Sequence, residues 1–285
     1  MKQDVAAYYE QTQNHYKRWW KLDKGMSLHY GLWFEKTKTF LEALENTNEY
    51  MAGKAKIKAN DLVLDAGCGV GGAAIYLAHH RNAKVIGVSL SERQVKTAKE
   101  NAVRHNVADR VSFFEADYCQ TTFANGSFDI IWACESSSSA SDKRVMLQEW
   151  HRLLKPQGKL ILLDFFRSSD KLSEDDSLLD RWSELWAMSP LISADEFKLS
   201  LEANQFRIIE ENDLTKQILP TIKWLYRSSL LGSLPSLLYN LFFGARKYSK
   251  NHFKSGLYQY RAYRKGLWKY CAFLAEKSDP SHQKK

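Results

Sequence analysis

The run Asp65-Ala66-Gly67-Cys68-Gly69-Val70-Gly71-Gly72 sets a carboxylate just ahead of four glycines. Glycine takes positive φ readily and lets a ligand come close to the main chain. The apolar Leu62 to Leu64 before the loop reads as a buried parallel strand, and Ala73, Ala74, Ile75, Leu77 and Ala78 after it begin a helical pattern. N–H groups at the start of a helix favour electron-rich ligand groups. The chemistry implied is that of a main-chain cradle for a small ligand. A second polar position, Glu135, follows the apolar run Phe128 to Cys134 and opens onto four serines, Ser136 to Ser139. Ligands of open parallel sheets bind beyond the carboxyl ends of the strands. A carboxylate there could accept a proton or stabilise a cation by charge.

Such residues need a sheet to hold them at one end. Lys84 to Leu90, Val111 to Ala116, Phe128 to Cys134 and Lys159 to Phe166 read as further strands. Helical patterns separate them: Glu92 to Asn106 with Ser91 as N-cap, and Asp142 to Leu154 with Val145, Leu147, Trp150, Leu153 and Leu154 on one face. Asn125-Gly126-Ser127 and Lys155-Pro156-Gln157-Gly158 supply turns. Ser193 caps a helix ahead of Phe206 to Glu210, a sixth strand, and Trp268 to Ala275 fits a seventh, antiparallel one. On the N-terminal side, Asp4 to about Lys24 reads as an aromatic-rich helix and Phe40 to Met51 as another. Between them lies the turn-rich Ser27-Leu28-His29-Tyr30-Gly31-Leu32-Trp33.

The 285 residues suit one large domain with an elaboration, and 44% hydrophobic with 26% charged residues is ordinary for a soluble globular chain. Cys68, Cys119, Cys134 and Cys271 form no C-x-x-C pair, which argues against a disulfide framework or a zinc site. No His/carboxylate cluster has metal-ligand spacing, so no metal is expected. No apolar run follows Met1-Lys2-Gln3-Asp4, so the expectation is no signal peptide and a reducing cytoplasm. The net charge of +8 is uneven: from Thr215 onward fourteen Lys/Arg stand against two acids, net +12, which leaves −4 on the other 214 residues.

The Asp-x-Gly-x-Gly-x-Gly loop resembles the cofactor loop of class I S-adenosylmethionine-dependent methyltransferases; its spacing differs from the dinucleotide-binding G-x-G-x-x-G. The resemblance covers roughly residues 55 to 170. Within that class it is nearest the sterol, γ-tocopherol and cyclopropane-fatty-acid branches. Gly87-Val88-Ser89-Leu90-Ser91-Glu92-Arg93-Gln94 is similar to their G-x-T-L-S-x-x-Q run, and Ser27-Leu28-His29-Tyr30-Gly31 to the stretch ahead of their cofactor domain. The resemblance implies an α/β, Rossmann-like fold: a seven-stranded, mostly parallel sheet with helices on both faces, an N-terminal helical cover, and a helical lid inserted before the last strand. It divides the chain into a cover (1–52), an S-adenosylmethionine-binding core (53–214), a lid or substrate insertion (215–267) and the last strand with its tail (268–285).

For the cofactor, the resemblance implies Asp65, Gly67, Cys68, Gly69 and Gly71 around the loop, with Cys134 at the end of the fourth strand. Ser89, Leu90 and Gln94 take the ribose side, where most members carry an acidic residue; Ser91 also reads as a plain N-cap. Asp117 matches the position that accepts from the adenine amino group, with Tyr118 beside the ring. For catalysis it implies Glu135, with Tyr30 near the sulfonium and His29 on the substrate side; a satisfied core histidine is the other reading of His29. A histidine common near Ser139 in the tocopherol-like relatives is absent, which speaks against a His-based proton abstraction there. The four serines equally fit a bland flexible loop.

Thr215 to Leu267 exceeds what a minimal methyltransferase needs. It reads as two helices broken near Gly232–Pro235, too interrupted by Arg227, serines and Pro235 for a membrane span of about 20 apolar residues. Its later part interleaves Arg246, Lys247, Lys250, Lys254, Arg261, Arg264 and Lys265 with tyrosines and Phe253. Three readings stay open for it: a solvated basic face, peripheral docking on anionic lipid at ~1 kcal/mol per cation, or capture of an anionic headgroup such as a diphosphate. No RNA-binding module is recognisable, so nucleic acid is not an expected partner. The branch resemblance and the apolar, aromatic insertion point to a lipophilic acceptor of isoprenoid, sterol-like or quinol type, methylated at carbon. N- or O-methylation of a polar or aromatic metabolite is the alternative. A non-catalytic cofactor-binding or membrane-associated partner protein is a reading from another class. The residues carry no signal for an oligomeric state.

Overall fold

The computed structural model describes residues 5–8, 10–12, 20–171, 174–243 and 247–278; between 234 and 249 only the side chains of Ser236 and Tyr248 are described. β1 (Leu62–Ala66) sits inside a seven-stranded sheet between β2 (Lys84–Ser89) and β4 (Phe128–Cys134). The full order is β3 (Val111–Glu115), β2, β1, β4, β5 (Leu154–Arg167), β7 (Trp268–Lys277), β6 (Phe206–Asp213). Strands β1 to β5 pair in parallel, and β7 runs antiparallel to both β5 and β6. This is the mostly parallel α/β sheet expected.

A strand such as β1, buried along most of its length, needs cover on both faces. Side chains alternate along a strand, so Val63, Trp132 and Leu163 face one way, and Leu64, Ile131 and Leu162 the other. The first face packs on α2 (Phe40–Ala55), α3 (Gly72–Arg81) and α4 (Glu92–Arg104); the second packs on α5 (Lys143–Leu153) and α7 (Ala194–Ala203). Between β5 and α7 lies α6 (Ser177–Leu185), and between β6 and β7 lie α8 (Leu219–Phe243) and α9 (Lys247–Arg264). The chain doubles back between β1 and β4, so the carboxyl ends there open onto a crevice, where such sheets bind ligands.

Three local expectations change. The break near Gly232–Pro235 is absent: α8 runs through both residues. A helical proline forfeits one main-chain bond at a cost of about 3 kcal/mol, which packing along α9 offsets. That packing is close because Gly256 lacks a side chain; a Cβ there would stand 2.3 Å from Ser229 Oγ. The turn at Lys155–Gly158 lies inside β5, which begins at Leu154 and shifts register between the pairs Phe128–Leu154 and Ile130–Lys159. The N-terminal helix does not run on to Lys24. Residues 5–8 and 10–12 are helical, but Lys21 and Met26 take left-handed φ of 52° and 48° and confine α1 (Leu22–Gly25) to one turn. The stretch 13–19 of that expectation lies outside the described residues, as do the side chains of Arg246 and Lys247.

Candidate active site

The glycine loop is fastened before it meets any ligand. The N–H groups of Gly67 and Cys68 both donate to the Val88 carbonyl, at 3.0 and 2.9 Å, tying the loop to β2. Gly67 has φ 99°, and a Cβ on it would stand 2.5 Å from Ser136 Cβ, so only glycine lets the ends of β1 and β4 touch. Ser136 Oγ donates to the Ala66 carbonyl at 2.5 Å, and Tyr118 Oη to the Ser136 carbonyl at 2.5 Å.

A cavity of about 1050 Å³ opens ahead of these strand ends. Ligand pockets run to roughly 300–1,000 Å³, so there is room for a nucleoside and a second molecule together. Asp65, Gly67, Cys68 and Gly69 line it from β1 and the loop, Ser89, Leu90 and Gln94 from β2 and α4, and Tyr118 from beyond β3. Cys134 and Glu135 line it from the end of β4, and His29 and Tyr30 from the segment ahead of α2. Two expected residues do not line it. Gly71 faces the core, where a Cβ would meet Phe113 Cζ at 2.9 Å. Asp117 closes a turn, its Oδ1 accepting from the Cys119 N–H at 2.9 Å.

The polar groups fall into three sets. At the loop, Asp65 Oδ2 is buried without a hydrogen-bond partner, and burial pushes its carboxyl up to about 7. Ser89 Oγ donates to Gln94 Oε1 at 2.7 Å, while Ser91 Oγ accepts from the Gln94 N–H, so Ser91 is the N-cap and Gln94 is held toward the cavity. At the end of β4 the serines are not a bland loop. Asp164 Oδ2, buried in mid-β5, accepts from Ser137 Oγ at 2.7 Å and the Ser138 N–H at 2.9 Å. Lys143 Nζ donates to the Ser137 and Ala140 carbonyls, and burial lowers its pKa to about 8.

The third set surrounds Glu135, a non-glycine residue at φ 50°. Its Oε1 accepts from the Tyr30 N–H and from the Tyr270 hydroxyl, both at 2.6 Å. Burial pushes the carboxyl up to about 8 against those two donors, and Asp164 adds to the rise. Tyr30 is fixed from both ends: its hydroxyl donates to Gln259 Oε1 of α9 at 2.5 Å, and its carbonyl accepts from Thr47 Oγ1. The hydroxyl beside Glu135 is thus that of Tyr270, not of Tyr30. His29 Nδ1 lies 2.9 Å from the Tyr30 carbonyl, which can only accept, so Nδ1 carries the proton and Nε2 is left without a partner. Burial lowers the imidazole to about 4, so the ring is neutral.

Facing this polar floor is an aromatic wall. Trp20, Phe165, Trp186 and Trp224 line the cavity, with Leu225, Ser229 and Leu231 of α8 and Phe253 of α9. Sequence reading missed Tyr270, Gln259 and Asp164. Only Asp164 left a trace, as one acid inside the apolar run Leu160 to Phe166. Among the described residues no group of three or more His, Cys, Asp or Glu could hold a metal ion.

Comparison with known proteins sets this geometry in a family. Residues 64–162 match the family model described as "Methyltransferase domain". The 27-O-demethylrifamycin SV methyltransferase of Amycolatopsis mediterranei is 38% identical over 141 residues, 50% of this chain and 52% of that one; the match thus spans about half that relative's length. Methyltransferase GfsG of Streptomyces halstedii is 30% identical over 76% of this chain and 78% of its own. Sterol 24-C-methyltransferase of Kluyveromyces lactis is 29% identical over 74% and 57%. Two solved structures share the fold. Geranyl diphosphate C-methyltransferase of Streptomyces coelicolor has TM-score 0.74 at 18% identity, covering 97% of both chains. The cyclopropane synthase MmaA2 of Mycobacterium tuberculosis has TM-score 0.81 at 15% identity, covering 97% of this chain and 98% of that one.

Proposed function

The chain belongs to the S-adenosylmethionine-dependent methyltransferases, and from that premise we propose that it methylates a lipophilic small molecule of isoprenoid, sterol-like or quinol type at carbon. The observation that carries this reading is one cavity joining the glycine loop to an aromatic wall, with Glu135 between them. The sterol 24-C-methyltransferase relative, by name a C-methylating enzyme, supports the same reading.

The residues at the loop fit the cofactor. Asp65 Oδ2, buried and unpartnered, suits its cationic amino acid end. Ser89, Leu90 and Gln94, which line the cavity, take the ribose side in this reading, and Tyr118 lies beside the base. When bound, the cofactor supplies a methyl group already activated on a sulfonium, so the protein's work is alignment and exclusion of water. The faces of Tyr30, Phe165 and Trp186 stabilise positive charge developing on an alkene acceptor. Glu135 takes up the proton that such an acceptor releases. Its raised pKa keeps it poised, and positive charge in the cavity favours the carboxylate.

A second reading, O-methylation, rests on His29. A neutral imidazole lining the cavity could deprotonate an acceptor hydroxyl, and the rifamycin relative is by name an O-methylating enzyme.

Peripheral contact with a bilayer extends the lipophilic reading. Among the described residues no helix is long and apolar enough to cross a membrane. Leu230 and Leu231 of α8 are nonetheless 48% and 79% exposed, Leu231 lines the cavity, and no acid occurs from Lys216 to Ala275. Lipid extract incubated with the enzyme and methyl-labelled cofactor tests the acceptor. Mass spectrometry should find the label on carbon in an organic-soluble product. Label confined to a water-soluble metabolite, or carried on oxygen, would reject C-methylation of a lipophile.

A further inference from the structure

Two donors converge on one oxygen of Glu135. Oε1 accepts the Tyr30 main-chain N–H and the Tyr270 hydroxyl, and among the described residues nothing donates to Oε2. The main chain at Glu135 is already committed: φ is 50°, and its N–H donates to the Leu163 carbonyl at 2.7 Å. What aims the carboxyl is therefore the pair of donors. Tyr270 is rigidly placed for this. It is fully buried on β7 and pairs with Phe165 of β5, whose ring centroid lies 5.0 Å from its own. Its N–H donates to Thr215 Oγ1 at 2.9 Å, and its carbonyl accepts from the Leu214 N–H at 2.7 Å.

We propose that Tyr270 is a positioning residue: with the Tyr30 N–H its hydroxyl occupies Oε1 and presents Oε2 of Glu135 to the acceptor as the proton-accepting atom. This rests on the C-methylation reading above. Once the new carbon–methyl bond has left positive charge on the acceptor, an adjacent C–H bond breaks. Its electron pair becomes the new double bond, and the proton passes to Oε2. The other ionisable groups near the carboxyl do not aim it. Asp164 of β5 already accepts from Ser137, Ser138 and the Phe165 N–H, and the Cys134 thiol of β4 is held neutral by burial. Asp65 of β1 acts on Cys134, and the Tyr30 hydroxyl points to Gln259 of α9.

Tyr270→Phe keeps the ring and removes the donor. Infrared difference spectroscopy of the carboxyl stretch, with Glu135→Gln as the blank, follows the titration of Glu135 in the whole protein and needs no acceptor. The titration should move to higher pH, because a donor to the charged form has been lost. With acceptor present the acid limb of the kcat profile should move the same way. kcat should fall about tenfold or more, with calorimetric cofactor affinity unchanged as the check on folding. The double variant Tyr270→Phe/Glu135→Gln should be no slower than Glu135→Gln alone. An unmoved titration, or losses that multiply in the double variant, would overturn the assignment. A shifted titration in a protein that methylates no carbon acceptor would keep Tyr270's hold on Glu135 and reject the acceptor reading instead.

Discussion

Asp65 shows at the scale of one side chain how a binding site is kept ready at the expense of stability. Its carboxyl is raised to about 7 by burial, with no donor to Oδ2. A folded-state pKa above the usual carboxyl value of about 4 means that the folded protein binds this proton more tightly than the unfolded chain does. The contribution is therefore present below about pH 4 and is lost as pH rises through about 7. Relative to Asp65→Asn, the cofactor-free protein should therefore lose melting temperature across that window. Glu135 and Asp164 are raised by the same cause and His29 is lowered by it, so the difference between the two proteins isolates Asp65. At pH 8 the variant should melt a few degrees higher, at about 2–4 °C per kcal/mol for a chain of this size. Calorimetry should find its cofactor affinity about tenfold lower or worse. Affinity equal to wild type would show that Asp65 does not meet the cofactor's cation.

One turn couples β1, α3 and β4, and its glycines are not equivalent. Gly67 combines φ 99° with a Cβ position 2.5 Å from Ser136, whereas Gly69, at φ 53°, would meet only Leu28 Cδ1 at 3.6 Å. Gly69→Ala should cost about 1 kcal/mol of backbone strain. Gly67→Ala should cost about 2–4 kcal/mol, since it also pushes β4's exit off β1. The latter should lose cofactor affinity as well as melting temperature, and an equal effect of the two would contradict the close approach to Ser136. The helix pair α8–α9 makes a related point. Pro235 is a strong local stop signal, yet α8 runs through it, and Gly256 of α9, remote in sequence, lies close against Ser229 of α8.

For the molecule as a whole, positive charge is gathered in one segment that also exposes leucines. The segment from Thr215 carries +12 against −4 on the rest, and of the exposed Leu230 and Leu231 of α8 the second lines the cavity. The protein should therefore sediment with vesicles containing phosphatidylglycerol and not with phosphatidylcholine alone. Binding should weaken from 50 mM to 500 mM salt, as screening requires, at ~1 kcal/mol per engaged cation. Lys223→Glu/Arg227→Glu should abolish it. Sedimentation indifferent to lipid charge, or none at all, would leave the basic face merely solvated.

The strand–loop–helix run at Leu62 to Ala78, the position of Ser89 and Gln94 at the end of β2 and start of α4, and Glu135 at a strand end were all legible in the sequence. They rest on local periodicity and on residues a few places apart, which short-range sterics and hydrogen bonding dictate. The partners of Glu135 were not legible. Tyr30, Tyr270 and Gln259, the last of which holds the Tyr30 hydroxyl, come from parts of the chain more than a hundred residues apart in places, and they meet because β7 inserts antiparallel between β5 and β6 while α9 folds back along the cavity. The sequence by itself determined the sheet, the glycine loop and the carboxylate at the end of β4. Tertiary structure alone decided which hydroxyl holds Glu135 and which aromatic residues line the cavity beside it. Spacing along a chain sets the period of an element; only packing between elements sets which side chains touch.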